Sequence, residues 1–343
     1  MAPVNVRLNR FGVVIFVLAT LCILFYLFGL PWFFPGEPRV SMKELLSVSI
    51  VLAQRGGKIV RDIAINNNRT LDTKQKGLTR EGKKELVTRS DVESHKAIYY
   101  GFAKAYPGMQ VISEEHDTEP ISLSAIPEVT KKLEEVENII KSDQSIAMKS
   151  ISVWVDPLDA TQEYTEGLYK YITTMVCIVV NGEPTIGVIH RPFEGDTVWA
   201  WVGYGHSANI EKAAKKPEGH QKIIVSRSHE GTVASVVQKA FGDAEIIHAG
   251  GSGYKTLEVL RGNADAYIHV TQIKKWDICS GNAILSALDG KMTTLEGNYL
   301  NYSPRLDVKN DKGLLATIHN HHQFLEHLEP AAEDLKKNTK TKS

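Results

Sequence analysis

The stretch Trp154-Val155-Asp156-Pro157-Leu158-Asp159-Ala160-Thr161 sets two carboxylates and a hydroxyl in one short turn at the end of an apolar run. Hard oxygen donors at this spacing suit a divalent cation, magnesium above all, with the Leu158 carbonyl available as a further oxygen ligand. Pro157 has no backbone donor and disfavours helix at Asp156, so the strand is expected to stop there and turn. If Thr161 opens a helix, the N–H groups of Ala160 and Thr161 face whatever anion the cation holds. An isolated D-P-x-D is more often an Asx-type turn whose carboxylates satisfy only backbone donors.

Two further acidic elements argue against that simpler reading. Ser113-Glu114-Glu115 follows the apolar pair Val111-Ile112, which places carboxylates just past a strand end, where sites gather in open α/β sheets. Lys274-Lys275-Trp276-Asp277 opens a helical pattern that continues to Leu288. Taken alone, Asp277 reads as an N-cap worth about 1 kcal/mol to its helix.

In this order the three segments resemble the inositol monophosphatase superfamily of magnesium-dependent, lithium-sensitive phosphatases, over about Ser41 to His327. Within it the sequence is most similar to the 3′-phosphoadenosine 5′-phosphate phosphatases. That similarity is carried by Asp159-Ala160-Thr161-Gln162-Glu163-Tyr164-Thr165-Glu166-Gly167, Ser226-Arg227-Ser228-His229, Gly250-Gly251-Ser252-Gly253-Tyr254-Lys255 and Lys274-Lys275-Trp276-Asp277. The resemblance implies a layered αβαβα sugar-phosphatase fold and two or three magnesium ions held by Glu114, Asp156, Leu158, Asp159 and Asp277, with Asp156 bridging. It implies that Thr161 and Asp91 orient and deprotonate the attacking water. It also implies a substrate pocket of Ala160, Thr161, Ser226, His229, Gly250 and Lys255, in which Lys255 or His229 pairs with a second phosphate. Ala160 stands where the wider family usually has Gly, a change of little consequence unless the position needs positive φ.

The implied activity is hydrolysis of the 3′-phosphate of adenosine 3′,5′-bisphosphate. The same metal cluster would serve an inositol monophosphatase or a broader sugar-phosphate phosphatase. A silent, anchored nucleotide-binding protein is the alternative of a different class. Each pocket residue also has a local reading, Ser226-Arg227-Ser228 as a cap and Gly250-Gly251-Ser252-Gly253 as a connector.

The elements that must position these groups belong to an ordinary globular body. Of 343 residues, 43% are hydrophobic and 23% charged, which fits a single large α/β unit. Lys plus Arg equals Asp plus Glu at 40 each, which argues against a general nucleic-acid binder. The partners expected are a small nucleotide and a membrane, with a homodimer left open.

Residues 11–31 form an apolar segment, and the uncharged Phe11–Leu30 stretch alone is about 30 Å long as a helix, enough for a bilayer. Arg7 and Arg10 precede it and the next cation is Arg39, so residues 1–10 are expected in the cytosol and the body, 41–330, on the lumenal or extracellular side, as a type II signal anchor. The resemblance implies that the membrane is that of the Golgi, with the body in its lumen. A cleaved signal peptide would need a shorter apolar region and small cleavage-site residues. Two N-x-S/T sequons, at Asn68 and Asn301, agree with lumenal exposure. Cys22 lies in the apolar span, so Cys177 and Cys279 are read as buried thiols rather than a disulfide framework.

Past the anchor, Ser41-Met42-Lys43-Glu44 reads as a capping box opening a helix to about Asp62. Asn66 to Gly82 is polar and turn-rich, Asp91 to Tyr106 is helical up to Pro107, and Pro120 to Ser150 is an inserted helical or loop segment. Ile172–Val180, Thr185–His190 and Val198–Val202 read as antiparallel strands, the first pair joined at Asn181-Gly182. Strands at Lys222–Ser226, Ala244–His248 and Ala264–Val270 then alternate with helices at Thr232–Phe241 and Ser252–Arg261. The charged tail, 331–343, is expected to be disordered.

Overall fold

The computed structural model describes residues 9–29, 37–66, 71–79, 82, 84–116, 121–215, 219–228 and 231–340. Arg7, Asn68 and His229, singled out above, lie outside them. The chain divides into a unit spanning residues 1–39 and a unit spanning 40–343.

In the first unit, α1 (Arg10–Leu24) is capped by Asn9, whose Oδ1 accepts the Gly12 N–H at 2.8 Å, and continues as a π turn over Phe25–Gly29. Arg10–Leu27 has a mean hydropathy of 2.4 and is long and apolar enough to cross a membrane.

The second unit opens with α2 (Met42–Asn66). Ser41 Oγ accepts the Glu44 N–H at 3.0 Å, and the helix runs past the expected end at Asp62. α3 (Arg89–Ala105) packs beside it and ends ahead of Pro107 as anticipated. Between them lies a hairpin, β2 (Lys74–Leu78) and β3 (Lys84–Val87), within the segment expected to be only turn-rich. Its strands are polar and mostly exposed, so no alternation of apolar residues announces them.

Two sheets follow. The first has six strands: β10 (Gly205–His206), β9 (Asp196–Trp201), β8 (Glu183–Arg191), β7 (Thr173–Val180), β6 (Ile151–Asp159) and β4 (Gln110–Ser113) in that spatial order. The second has five: β12 (Glu245–Ala249), β11 (Lys222–Ser226), β13 (Ala266–His269), β17 (Leu314–Thr317) and β15 (Lys291–Thr293). The remaining short strands and α-helices are β1 (Arg39–Ser41), α4 (Glu134–Ile139), β5 (Ser145–Ala147), α5 (Thr161–Thr165), β14 (Ile273–Lys274) and β16 (Lys309–Asn310).

Alternating side chains of β6 divide between two cores. Val153 and Val155 pack with Leu46, Ile50 and Phe102 of α2 and α3. Trp154 faces the other way, with Met175 and Cys177, toward α7 (Ser252–Leu260) and α8 (Lys275–Ala287), which also cover Ile224, Tyr267 and Leu314 of the second sheet. The far face of that sheet buries Ile223, Val225 and Ile268 against α6 (Val233–Phe241) and α9 (His321–Lys340). The result is the expected αβαβα layering. Burying both sheets on both faces calls for apolar residues on both sides of a strand, as in the run Val153-Trp154-Val155 of β6, every residue of which is buried.

Three expectations are corrected. The strand does not stop at Asp156: β6 continues through Pro157 to Asp159, with its register against β7 shifting between Asp156 and Asp159. This bulge accommodates a residue with no N–H, and the Pro157 carbonyl is satisfied sideways by Ser94 Oγ at 2.8 Å and Thr174 Oγ1 at 3.3 Å. The tail is not disordered from 331, because α9 runs to Lys340, anchored by buried Phe324, Leu328 and Ala332. Finally, Cys177 and Cys279 are not separate thiols but a disulfide, with Cα atoms 5.7 Å apart. The residues are 102 positions apart and meet only because α8 lies across β7, so local sequence carries no sign of the pairing. In the chain-entropy picture a closed loop of this size is worth about 4–5 kcal/mol against unfolding.

Candidate active site

β4 and β6 are parallel neighbours with Ser113 opposite Val155, so Glu114, just past the end of β4, and Asp156, still within β6, stand at the same end of the sheet. The Glu114 N–H donates to the Val155 carbonyl at 3.1 Å and fixes that register. Asp277 arrives from across the layer as the third residue of α8. It is not an N-cap, the reading it has when taken alone: its Oδ2 reaches back to accept the Lys274 N–H at 3.1 Å, leaving Oδ1 available. Carboxylate oxygens of Glu114, Asp156 and Asp277 lie within 4.8 Å of one another. Three hard anionic donors converging in a buried cleft have the chemistry of a divalent-cation site.

Electrostatics support the same reading. Burial pushes the Asp156 carboxyl well above the usual range, and Glu114, Asp159 and Asp277 push it further. Burial does the same to Asp277, reinforced by Glu114 and Asp159. Such a cluster is unfavourable without positive charge among it. Part of that charge comes from the chain: Lys76, on β2, sits 2.7 Å from Glu114 Oε1 and also contacts Glu115. Burial alone would lower the ammonium's pKa, but the two carboxylates outweigh it and raise it.

Asp159 is placed differently from the other expected ligands. Its Oδ1 accepts the Ser252 N–H at 3.1 Å, and its Oδ2 accepts the Gly253 N–H and the Thr173 hydroxyl at 2.8 and 2.9 Å. It therefore ties β6 to the start of α7, with lone pairs on Oδ1 left over. Burial raises its pKa against the pull of Lys255 and these hydrogen bonds. The loop that delivers the two N–H groups passes so close that a Cβ on Gly251, at φ +65°, would lie 3.0 Å from Asp159 Oδ2 and 2.6 Å from the Tyr171 carbonyl. Only glycine fits there.

Thr161 and Asp91, 70 positions apart, meet at 2.9 Å between Oγ1 and Oδ1. Thr161 Oγ1 also lies 3.2 Å from the Leu158 carbonyl. Asp91 is held from behind, its Oδ2 accepting the N–H and hydroxyl of Thr88 at 2.7 and 2.6 Å. Burial, helped by Glu114 and Glu115 and opposed by the Thr88 bonds, lifts the Asp91 carboxyl to about 7.

Lys76, Glu114, Asp156, Asp159, Thr161 and Asp277 line one cleft of about 350 Å³, together with Leu158, Ala160, Glu163, Ser226, Gly251 and Lys255, while Asp91 stands outside the lining in contact with Thr161. Gly250 lies one residue outside the lining, against Glu163. Lys255 is buried, with its ammonium 2.5 Å from the Gly251 carbonyl and 5.0 Å from the Tyr267 ring centre. Burial lowers its pKa to about 8, while Asp159 and Glu163 oppose the shift. Ala160 sits at φ +73°, ψ +44°, so this position does need positive φ and the substitution is not neutral.

Sequence reasoning missed Lys76, Thr88 and the buried Glu163, which is 3.3 Å from Arg227. Thr88 could have been found as the cap three residues before Asp91. Lys76 sits on a polar hairpin that no pattern flags, and Glu163 falls in a five-residue helix too short to show a period.

The family model described as the inositol monophosphatase family matches residues 41–334. The chain is 44% identical over 348 residues to inositol monophosphatase 3 of Danio rerio, covering 98% of this chain and 100% of that protein. It is 42% identical to the Golgi-resident adenosine 3′,5′-bisphosphate 3′-phosphatase of Homo sapiens, covering 95% and 96%. Among solved structures, inositol monophosphatase II of Staphylococcus aureus superposes with a TM-score of 0.64 at 19% identity, over 85% of this chain and 96% of that one. The suhB protein of Bartonella henselae gives 0.63 at 18%, over 83% and 98%. With its αβαβα layers and its acidic cleft, the chain is a phosphatase of the inositol monophosphatase family.

Proposed function

We propose that the protein is a magnesium-dependent phosphomonoesterase that removes the 3′-phosphate of adenosine 3′,5′-bisphosphate, giving AMP and inorganic phosphate. The observation that carries this reading is the convergence of Glu114, Asp156 and Asp277 beside the Thr161–Asp91 pair. Glu114, Asp156, Asp277, Oδ1 of Asp159 and the Leu158 carbonyl form the donor set that fits two or three hard cations. When bound, these cations supply charge neutralisation at the phosphate and acidify the attacking water. Thr161 orients the water and passes its proton to Asp91, while the 3′-oxygen departs on the opposite side of phosphorus. No covalent phospho-enzyme is required.

The choice of a bisphosphate is supported by the relatives named for that substrate and by Lys255 and Ser226 in the cleft wall. His229 remains part of the proposed pocket. Relatives named inositol monophosphatase 3 favour a second reading, hydrolysis of an inositol phosphate at the same site. Phosphate release from a panel of adenosine bisphosphates, adenosine monophosphates and inositol phosphates separates the two.

The proposed setting is the Golgi membrane, single-pass, with the catalytic unit in the lumen. An apolar span at Arg10–Leu27, a disulfide of the kind that persists in oxidising compartments and an exposed Asn301 for glycosylation support it. Protease treatment of intact microsomes tests it, since digestion of the catalytic unit without detergent contradicts the lumenal reading. Glycan removal that lowers the apparent mass would support modification at Asn301 or Asn68.

A further inference from the structure

The three converging carboxylates are not held in the same way. Glu114 and Asp156 extend from adjacent hydrogen-bonded strands, so the sheet's own ladder sets their separation. Asp277 belongs to α8, whose start is hydrogen-bonded to a different part of the chain, Lys275 N–H to the Val308 carbonyl at 2.8 Å and β14 to β16. The six-stranded sheet and the start of α8 are instead joined by a covalent bond. Cys279 lies two residues beyond Asp277, and Cys177 lies on β7 opposite Trp154, two residues before Asp156. Both cysteines are fully buried. Next to this bond, α8 presses onto β8 so closely that a Cβ on Gly187 would stand 2.2 Å from the Ser280 carbonyl.

The contact has an electrostatic opponent. The carboxylate oxygens of Glu114, Asp156 and Asp277 lie within 4.8 Å of one another, so negative charge on them would repel and favour moving the start of α8 away from the sheet while no cation is bound. We infer that the Cys177–Cys279 disulfide is a positioning element for Asp277, holding it against that repulsion so that the cation site is assembled before metal arrives. The inference rests on the metal-site reading above. Neither cysteine lines the cleft. Their role is to set where Asp277 stands, and a ligand displaced by a fraction of an ångström loses affinity.

The test is metal binding by the full chain, with Tb³⁺ luminescence and Mg²⁺ calorimetry on metal-stripped protein, alongside thermal melting. Wild type must bind Mg²⁺ and Tb³⁺ in this cleft, with Asp156→Asn abolishing the signal. Failure there defeats the metal-site reading itself, separately from the disulfide. In Cys177→Val/Cys279→Ala, which fills the space without the bond, the dissociation constant for either ion should rise about tenfold. Turnover at saturating Mg²⁺ should stay within about twofold, because the assembled site is then the same. An unchanged metal affinity in a protein whose melting temperature has merely fallen would overturn the inference and leave the bond a core staple. Should the double variant fail to fold, the same exchange in an Asp277→Asn background decides. Recovery of a folded protein there supports restraint against repulsion, and failure there too overturns it.

Discussion

Thr161 Oγ1 stands 2.9 Å from Asp91 Oδ1, although one residue opens the five-residue helix that follows a bulged strand and the other lies in the first turn of a separate helix. Thr88 fixes the other carboxylate oxygen, so Asp91 has one free oxygen and it faces the hydroxyl. A group buried in this way and lifted to about 7 is matched to accepting a proton near neutral pH.

Replacing Asp91 by Asn should therefore lower kcat by about 10²–10⁴-fold while leaving the dissociation constant for Mg²⁺ nearly unchanged. The contrast separates this residue from the ligands. Calorimetric Mg²⁺ titration and initial rates on the same preparation check it, and a comparable loss of both would reassign Asp91 to metal binding.

Asp156→Asn should behave the other way round. The variant loses metal binding and turnover, yet in EDTA it should melt at or above the wild-type temperature. Removing one charge from a buried like-charged cluster relieves repulsion that only metal offsets. Melting scans with EDTA and with Mg²⁺ read both effects, and a lower melting point in EDTA would contradict the argument.

Ala160 holds φ +73°, a conformation that costs an L-residue with a Cβ roughly 1 kcal/mol more than glycine. Ala160→Gly should raise the urea midpoint by the equivalent of about 1 kcal/mol, with kcat unchanged within about twofold. Equal midpoints would mean that the turn relaxes around Ala at no cost.

Much of this was legible in advance, for physical reasons. Long apolar strands and amphipathic helices announced the layers, and Asn181-Gly182 announced the β7–β8 turn. Acidic residues at the ends of apolar runs marked Glu114 and Asp156, because strand ends gather sites in open α/β sheets, whereas Asp277, at the start of a helix, joined them only through the family resemblance. What the sequence hid depends on contacts between distant segments. The Cys177–Cys279 bond, the Lys76 ammonium over Glu114 and the Arg227–Glu163 pair each join elements far apart in the chain, with no periodicity at either end. Pro157 misled for a different reason. A missing N–H ends a regular ladder but is tolerated at a bulge, and only the partner strand reveals the bulge.

His190 and His321 are both pushed down to about 4 by burial. Their folded pKa lies below the unfolded value of about 6.5, so the unfolded chain binds more protons between those limits. The stability they contribute is complete above about pH 6.5 and falls as pH drops toward 4. The raised carboxyls of Asp156 and Asp277 act with the opposite sign, so the informative quantity is a difference. His190→Gln should lose less stability than wild type between pH 6.5 and 4.5 in EDTA, by urea denaturation. Parallel curves would exclude His190 as a buried neutral group.

The central claim is that this cleft hydrolyses a bisphosphate with metal help, and kcat/KM for phosphate release tests it most directly. Adenosine 3′,5′-bisphosphate, adenosine 3′-monophosphate and inositol 1-phosphate should be compared in Mg²⁺ and in EDTA, for wild type and Lys255→Met. The account predicts no release in EDTA and a clear preference for the bisphosphate. In the Lys255 variant that preference should shrink by about tenfold to a hundredfold, the value of one charge-assisted hydrogen bond to the second phosphate. Release that persists in EDTA, or equal efficiency on inositol 1-phosphate and the bisphosphate, would contradict it.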